Sequence, residues 1–291
     1  MRRVLIIAGP TAAGKSALAM DVAARAGAAI VSADAMQVYR DMNIGTASPS
    51  AKDLSAVKHF GVNVRDPHEA FSAADFLEIA DPLIENGRKI IIVGGTSMYL
   101  QALIRGLVKT PPVDPVLREE LEGAENLHER LMKLDPELAA RLHPNDRLRI
   151  VRGLEVVLLG GTPLSQLHKE HAAQPDRFEY NGLWVEREDL YSRINQRVDL
   201  MMDGGYLEEV EQLLNRGADR SLKPMMSLGY RHLTAHLLDG LPLEEAVRLT
   251  KRDTRHFSRK QRNWMRHLGF PQIGFDQLER AADTAVQNFR D

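Results

Sequence analysis

The sequence predicts an α/β protein with a parallel sheet that is covered by helices on both faces. Short β-rich runs alternate with helical patterns through the first hundred residues, and such alternation is typical of βαβ units. A glycine-rich turn at residues 9–16 separates the first predicted strand from the first predicted helix. No apolar run approaches the roughly 20 residues that a membrane-spanning helix needs.

The individual elements follow from apolar periodicity along the chain. Apolar, β-rich runs predict strands at residues 4–8, 29–32, 59–64, 89–93, 178–186 and 272–275. Apolar residues at helical spacing predict helices at 16–25, 73–85, 97–105, 190–202, 207–216 and 243–268.

The pattern changes in the middle of the chain. Thr110, Pro111 and Pro112 interrupt the alternation, and residues 116–166 have only helical periodicity. We interpret residues 1–115 as the first part of an α/β core and residues 116–177 as a helical insertion domain. Residues 178–291 are then the second part of the core, with basic C-terminal helices.

Composition narrows the class of protein. The 291 residues include 38 Lys and Arg and 40 Asp and Glu, and the net charge is −2. Apolar residues make up 44% and charged residues 27%, which is ordinary for a globular protein and argues against disorder. The absence of cysteine excludes disulfides, Cys-ligated zinc, iron–sulfur clusters and thiol catalysis. We expect a cytoplasmic protein without a membrane segment.

Residues 9–16, GPTAAGKS, match the phosphate-loop pattern GxxxxGK[ST]. Glycines let backbone N–H groups curl around a phosphate, and the following helix directs its positive dipole end at the anion. Lys15 would neutralise the outer phosphates, and Ser16 would hold a Mg²⁺ ion. The alternative, a glycine-rich turn that binds nothing, is disfavoured by the strand–loop–helix context. The fold class is therefore that of the P-loop NTPases, although the loop does not identify its ligand.

Other features disfavour two P-loop classes. The apolar strand at 89–93 leads into Gly94, Gly95 and Thr96 rather than into a metal-binding Asp, and the chain has no NKxD element. A switch GTPase is therefore disfavoured, and a motor ATPase is only weakly supported.

Two polar residues follow strands at the carboxyl edge, where ligands bind in parallel sheets. Asp34 follows the second predicted strand and is a turn former, a metal-site carboxylate or a general base. Thr96 follows the fourth and either contacts a phosphate or leaving-group oxygen or caps the next helix.

Residues 251–266 hold seven basic residues and one acidic residue, a net charge of +6. Phe257, Gln261, Trp264 and Leu268 share one helical face, which predicts a packed stripe with basic faces beside it. The charge indicates either a solvated surface or a contact with an RNA backbone. Arg147, Arg149 and Arg152 form a second, smaller basic group.

Several motifs occur in a characteristic order, and together they resemble the bacterial tRNA dimethylallyltransferases, also called tRNA isopentenyl transferases. The resemblance extends from about residue 4 to residue 268. It rests on GPTAAGKS (9–16), SADAMQVYRDMNIGTA (32–47), FSAADF (71–76), VGGTSMYLQAL (93–103), HPNDRLRIVRGLEV (143–156), RINQRVDLM (193–201), LGYR (228–231) and TRHFSRKQRNW (254–264). Ala35 and Leu148 stand where this family usually has Ser and Gln.

The resemblance implies a reaction. The family transfers a dimethylallyl group from dimethylallyl diphosphate, with Mg²⁺, to N6 of the adenine 3′-adjacent to the anticodon. Its tRNA substrates decode codons that begin with U, and the products are N6-isopentenyladenosine and diphosphate. The expected partners are therefore the tRNA anticodon stem-loop and dimethylallyl diphosphate, and we expect a monomer.

The resemblance also implies roles for individual residues. The catalytic residues implied are Asp34 as general base, Thr96 at the reaction channel and Arg197 on the diphosphate. The diphosphate would bind Gly9, Pro10, Thr11, Ala12, Ala13, Gly14, Lys15 and Ser16. The residues implied to contact tRNA are Asp34, Ala35, Met36, Gln37, Arg118, Leu148, Arg149, Ile150, Val151, Arg152, Arg252, Arg255 and Arg259.

Two other functions use the same residues. A small-molecule kinase would bind ATP in the phosphate loop and use Asp34 as a base for a hydroxyl or phosphate acceptor, with residues 147–152 as a lid. A non-catalytic RNA-binding ATPase would not need the Asp34 carboxylate at all. The basic helix and the ordered motifs favour the prenyl transferase.

Overall fold

The computed structural model describes residues 4–290 and divides into two compact units. One unit extends to Leu103 and resumes at Phe178, and the other is Ile104–Arg177. The sequence interpretation begins the helical region at residue 116, whereas the compact unit begins at Ile104. Residues 1–3 and 291, at the outer ends of the predicted core segments, lie outside the described residues.

The first unit is built on a six-stranded sheet in which every strand pair is parallel. The strands are β1 (Val4–Ala8), β2 (Ala29–Ala33), β3 (His59–Phe60), β4 (Ile90–Gly94), β5 (Asn181–Glu186) and β6 (Gln272–Gly274), and their order is β3-β2-β4-β1-β5-β6. Because β2, β4 and β1 are neighbours, the segments that follow them meet at one edge of the sheet.

Helices connect these strands and extend beyond the last of them. In chain order they are α1 (Lys15–Ala26), α2 (Ala51–Ala56), α3 (Ala73–Glu85), α4 (Ser97–Arg105), α5 (Pro115–Gly123), α6 (Leu127–Leu134), α7 (Pro136–Arg141), α8 (Arg147–Gly160), α9 (Leu164–Ala172), α10 (Leu190–Asp203), α11 (Tyr206–Asn215), α12 (Tyr230–Asp239), α13 (Leu243–Met265) and α14 (Leu278–Arg290). No helix among residues 4–290 is long and apolar enough to cross a membrane.

The sheet is buried on both faces. Leu5, Ile7 and Ile91 pack in one cluster with side chains of α1, α10 and α14. The intervening residues Ile6 and Ile92 are also fully buried, and successive strand residues point to opposite faces. The sheet therefore has the two-sided cover expected of a parallel α/β fold.

The second unit contains α5–α9 and has a core of its own. Its buried cluster consists of Leu121, Leu127, Leu131, Leu138, Ala139, Ile150, Val151 and Leu154. Gly153 lets α8 approach its neighbours, because a Cβ there would lie 2.7 Å from a methyl group of Leu138. All the regular secondary structure described in this unit is helical, as the periodicity of residues 116–166 predicts.

The structure confirms the predicted fold class and all six predicted strands, with small differences in length for five of them. The third strand is much shorter than 59–64, because Gly61 takes a φ of 73° directly after Phe60 and ends the pairing. The sequence interpretation missed α2, α12 and α14. The short helix α2 has no buried residue and therefore no apolar periodicity to detect.

Candidate active site

The phosphate loop connects β1 to α1 at the carboxyl edge of the sheet. A Cβ at Gly9 would lie 2.5 Å from the backbone oxygen of Val185, so only glycine fits there. Gly14 is the N-cap of α1, with a φ of 104°. The first N–H groups of a helix have no intrahelical partners. The loop and the start of α1 therefore form a backbone site suited to an anion.

Two cationic side chains lie beside this loop without an anionic partner among residues 4–290. The Lys15 Nζ donates a hydrogen bond to the Pro10 carbonyl at 2.7 Å, and Arg197 donates to Thr11 Oγ1 at 3.3 Å. Burial, and then the charge of Arg197, lower the pKa of Lys15 to about 8. Burial also lowers the pKa of Arg197. The charge of Asp34 only partly offsets these effects. Two buried cations that form no ion pair, beside a backbone anion site, indicate a polyanionic ligand.

Asp34 follows β2, and its two carboxylate oxygens have different surroundings. Oδ1 accepts hydrogen bonds from the backbone N–H of Met36 at 2.8 Å and of Gln37 at 3.4 Å, so Asp34 does form a turn. Oδ2 has no hydrogen-bond partner in the described part of the chain. The turn-forming role therefore leaves one oxygen available to accept a proton.

Thr96 follows β4 and supports the Asp34 turn. Its Oγ1 accepts the backbone N–H of Ala35 at 3.0 Å, and its own N–H donates to the Ala33 carbonyl at 3.2 Å. The oxygen of the Thr96 hydroxyl is therefore occupied by the turn, while its hydrogen remains able to donate.

The Gln37 side chain is committed to the protein itself. Its amide oxygen accepts from Ser32 Oγ at 2.8 Å, and its amide nitrogen donates to the carbonyls of Thr46 at 3.3 Å and Ala47 at 3.1 Å. Gln37 therefore holds the loop after β2 in place, and its amide is not free to contact RNA in this structure.

A carboxylate that the sequence analysis missed holds the same loop. Glu209 on α11 accepts the backbone N–H groups of Ile44 at 2.7 Å and Gly45 at 3.0 Å, and also the Tyr230 hydroxyl at 2.7 Å. Glu209 lies in no quoted motif and carried no signal in a single sequence. Tyr230 belongs to the LGYR motif, but its role became apparent only from the structure.

These elements enclose a cavity of about 620 Å³ in the first unit. It brings together the predicted residues Thr11, Lys15, Ser16, Asp34, Ala35, Met36, Gln37, Thr96 and Arg197. Its apolar lining, which the sequence analysis did not identify, includes Ile194, Val198, Met201, Met226, Leu228 and Phe257. A cation-rich anion site, a carboxylate and an apolar wall thus share one space.

A second cavity of about 860 Å³ reaches the phosphate loop from another direction. Lys15, Ser16 and Arg197 line both cavities, whereas Asp34 lines only the first and Arg193 only the second. The phosphate loop is therefore accessible from two sides.

Ser16 is the residue predicted to hold a metal ion. Ser16 lines both cavities, and its hydroxyl has no hydrogen-bond partner within the described range. Residues 4–290 contain no cluster of three or more His, Asp or Glu side chains that could bind a metal alone. A free hydroxyl beside an anion site fits Mg²⁺, which often takes one or two protein ligands and completes its shell with phosphate oxygens and water.

Gln261 on α13 contacts two of the loops at this edge of the sheet. Its Oε1 accepts the Thr11 N–H at 3.0 Å, and its Nε2 donates to the Gly95 carbonyl at 2.9 Å. The sequence analysis placed Gln261 on a packed stripe, and the residue is indeed buried. Nothing in the sequence indicated these partners.

Trp264 and Leu268 of that predicted stripe are half-buried, but Phe257 needs correction. The buried residues of α13 are Ala246, Thr250, Ser258, Gln261 and Met265, whereas Phe257 is 43% exposed and borders the first cavity. The prediction that Phe257 packs on the core is therefore wrong, because the helix packs through smaller and more polar side chains.

The basic residues of α13 differ in whether neighbouring side chains pair with them. Acidic side chains pair with Lys251 (Asp199, 2.5 Å), Arg252 (Asp253, 2.7 Å) and Arg262 (Glu186, 2.6 Å). Arg255 donates to the Asn195 side chain at 2.5 Å. The exposed Arg259 has only long contacts, 3.3 and 3.4 Å, to the Tyr191 hydroxyl. Of the three predicted RNA contacts here, Arg259 is the most available.

In the second unit, Glu155 binds the side chains of two residues that were predicted to contact tRNA. This fully buried carboxylate accepts from Arg118 at 2.8 Å and also from Arg152. Burial raises the pKa of Glu155, but the two arginine hydrogen bonds together outweigh that effect and bring the pKa below its ordinary value. The single carboxylate balances only one of the two guanidinium charges.

Two other predicted tRNA contacts in this unit need correction. The side chains of Ile150 and Val151 are buried in the core of the unit and are not accessible to RNA. Leu148 is 80% exposed, and Arg149 is exposed and pairs with Asp146 at 2.8 Å. The start of α8 thus offers residues 148 and 149 to a partner.

Comparisons with known proteins agree with this architecture. The model of the IPP transferase family matches residues 37–268. A tRNA dimethylallyltransferase of Geobacter metallireducens is 48% identical over 276 residues, covering 91% of this chain and 89% of that protein. One from Syntrophobacter fumaroxidans is 46% identical, covering 90% of this chain and 80% of that protein.

Solved structures show the same fold. The tRNA isopentenylpyrophosphate transferase of Bacillus halodurans is 33% identical with a TM-score of 0.70, covering 100% of this chain and 98% of that one. A eukaryotic dimethylallyltransferase acting on tRNA is 28% identical with a TM-score of 0.81, covering 91% of this chain and 70% of that one. The chain belongs to the IPP transferase family, among relatives that are tRNA dimethylallyltransferases.

Proposed function

We propose that this protein transfers the dimethylallyl group of dimethylallyl diphosphate to N6 of the adenine 3′-adjacent to the anticodon, in tRNAs that decode codons beginning with U. One observation carries the proposal. Within the described residues, a single cavity holds the side chains of Lys15 and Arg197, which form no ion pair, a carboxylate with one oxygen free of hydrogen bonds, and an apolar wall. These are the groups that a diphosphate, an amine losing a proton and a five-carbon chain require.

The donor's diphosphate would bind at the phosphate loop. Backbone N–H groups of the loop and of the start of α1, together with Lys15 and Arg197, would stabilise the negative charge that grows as diphosphate leaves. Such preorganised donors commonly supply the largest part of a rate enhancement. A Mg²⁺ ion held by Ser16 would add further charge neutralisation on the diphosphate.

The acceptor would lie beside Asp34. In the transfer, a bond forms between the adenine N6 and C1 of the allyl group, and the bond between C1 and the diphosphate oxygen breaks. N6 loses one proton, which the free Oδ2 of Asp34 accepts as general base. The products are N6-isopentenyladenosine and diphosphate.

The apolar lining of the cavity suits the five-carbon chain. Val198 and Met201 belong to α10, the helix that also carries Arg197, so one helix supplies both diphosphate and hydrocarbon contacts. Burying the chain there removes apolar surface from water and keeps water away from an allylic centre that it would otherwise attack.

RNA binding would use exposed basic residues. Among the predicted tRNA contacts, the most available are Arg259 on α13 in the first unit and Arg149 at the start of α8 in the second unit. The target base must leave its stack to enter a cavity, at a cost of a few kcal/mol. Attraction between these charges and the RNA backbone would offset that cost.

The test incubates the protein, Mg²⁺ and labelled dimethylallyl diphosphate with an anticodon stem-loop transcript. A matched transcript carries guanine in place of the target adenine. Label in the adenine transcript alone is the expected result, and an absence of label in both contradicts the proposal. A parallel reaction with ATP and candidate hydroxyl acceptors tests the kinase alternative, for which ADP would form without any labelled RNA.

A further inference from the structure

Gln261 joins the two halves of the proposed active site. It is 7% exposed and lies on α13, far along the chain from both of its partners. Its Oε1 accepts the Thr11 N–H at 3.0 Å, and its Nε2 donates to the Gly95 carbonyl at 2.9 Å. Both polar atoms of one buried amide are thus used, each on a different loop.

Each of these loops serves a different reactant. Thr11 belongs to the phosphate loop, and its side chain also accepts the hydrogen bond from Arg197. Gly95 directly precedes Thr96, whose hydroxyl holds the backbone turn beside Asp34. The Gln261 amide therefore spans from the loop that would bind the leaving group to the loop that supports the base.

The Gln261 amide packs closely against the backbone at Gly95. A Cβ at Gly95 would lie 2.3 Å from Gln261 Nε2 and 3.3 Å from the Gly9 carbonyl oxygen. The backbones after β1 and β4 thus approach each other closely, and the glycine makes space for the amide between them. The pairing of β1 with β4 ends at Ala8 and Gly94, and beyond these residues the Gln261 amide forms a directional contact with each loop.

We infer that Gln261 is a positioning residue, which fixes the distance between the diphosphate site and the Asp34 carboxylate. The inference rests on the proposed function, since it needs a donor in one loop and a base beside the other. Substitution reactions are sensitive to such distances, and a misplacement of about 1 Å can lower the rate about 100-fold. The residue acts through Thr11 and Gly95 and does not itself touch the reacting atoms.

The experiment compares wild type with Gln261→Met, which keeps the length of the side chain but removes both hydrogen bonds. Gln212→Met, at an exposed position on α11, is the matched control. We expect Gln261→Met to lower the single-turnover rate with saturating donor and tRNA by about 10- to 100-fold. Its affinities for inorganic pyrophosphate and for tRNA should stay within about threefold of wild type, because both polar atoms of the Gln261 amide are already bonded to Thr11 and Gly95.

Gln261→Glu provides a second measurement, the pH dependence of the rate, which a purely structural role would leave unchanged. A neutral carboxyl group can accept from Thr11 and donate to Gly95, whereas a carboxylate has no proton to donate and repels the Gly95 carbonyl oxygen. Relative to wild type, the rate of this variant should therefore rise as pH falls and the introduced carboxyl becomes protonated. Gln261→Met should show no such recovery.

The outcomes separate this inference from the function on which it rests. A wild-type protein that labels no RNA contradicts the proposed function. An active wild type with an unchanged rate in Gln261→Met overturns the positioning role, as does a loss of rate matched by an equal loss of pyrophosphate affinity. If Gln261→Met does not fold, the pH profile of Gln261→Glu decides, and a profile parallel to that of wild type overturns the role.

Discussion

Asp34 shows how one side chain can serve a turn and a reaction together. Its Oδ1 is occupied by backbone N–H groups, and its Oδ2 is free within the described structure. The backbone contacts fix the orientation of the carboxylate, so the free oxygen has a defined direction. The turn-forming and general-base interpretations, which compete at the level of sequence, therefore describe two oxygens of the same group.

This division predicts the effect of Asp34→Asn. The amide keeps an oxygen for the Met36 and Gln37 N–H groups but cannot accept a proton, so the turn should persist while base catalysis is lost. We expect the single-turnover rate of prenyl transfer to fall about 10²- to 10⁴-fold, with tRNA affinity unchanged. Rapid-quench kinetics and filter binding measure the two quantities. Unchanged turnover with weakened binding would contradict the role of base.

Lys15 gives a prediction for the pH dependence of donor binding. Its pKa is lowered to about 8, so in the free protein the side chain is charged below pH 8 and loses its proton above it. An anion at the phosphate loop favours the charged form. The Lys15 contribution to pyrophosphate affinity should therefore be present below pH 8 and decline as pH rises through 8.

The matched control for this prediction is Lys15→Arg, because arginine stays charged across this range. Pyrophosphate itself ionises further as pH rises, so the informative quantity is the ratio of wild-type to variant affinity for pyrophosphate. Calorimetry would measure this ratio between pH 6.5 and 9.5, a range of about 1.5 pH units on each side of the Lys15 pKa. This ratio should fall above pH 8. A constant ratio would show that the charge state of Lys15 does not govern binding.

At the scale of elements, α13 combines two tasks on different sides of the helix. Its buried side carries Gln261, which holds two loops of the candidate site, and its exposed side carries Arg259. Most of its other basic residues are paired with acidic or amide side chains of the same unit. The net charge of +6 therefore overstates the charge that a partner would meet.

This distinction predicts that the basic residues of α13 are not equivalent in RNA binding. Arg259→Gln should weaken tRNA binding and reduce the magnitude of the slope of log K against log salt concentration by about 1, as loss of one phosphate contact requires. Arg280→Gln on α14, at an exposed site, removes the same charge elsewhere and should leave the slope unchanged. Equal slopes for wild type and Arg259→Gln would argue against this contact.

At the scale of the whole molecule, the fold could be predicted because its signals are local. Runs such as Ile90–Val93 are continuously apolar, as both-face burial requires, and the phosphate loop fixes the order of strand, loop and helix. Of the missed helices, α2 is short and has no buried residue, whereas α14 has buried apolar residues at helical spacing that the sequence interpretation overlooked. Ile150 and Val151 were wrongly predicted to contact tRNA, because the motif that contains them includes both exposed residues and residues of the hydrophobic core.

The candidate site was predictable only in part, for a related reason. Lys15, Asp34 and Thr96 follow strands whose carboxyl ends must meet in a parallel sheet, so their proximity follows from topology. Gln261 and Glu209 reach the same edge from helices late in the chain, and only tertiary packing sets where they point. The apolar lining is equally dependent on packing, because Val198 and Met201 in sequence look like ordinary residues of an amphipathic helix.

The division of the chain into two compact units leads to a last prediction. Every residue that lines the two cavities at the phosphate loop belongs to the first unit, and the second unit has its own hydrophobic core. In hydrogen–deuterium exchange, inorganic pyrophosphate should slow exchange at residues 9–16 and leave residues 115–172 unchanged, because binding suppresses local opening only where the ligand makes contact. The anticodon stem-loop should protect residues near 147–149 as well. Pyrophosphate protection that spreads equally over both units would contradict a donor site confined to the first.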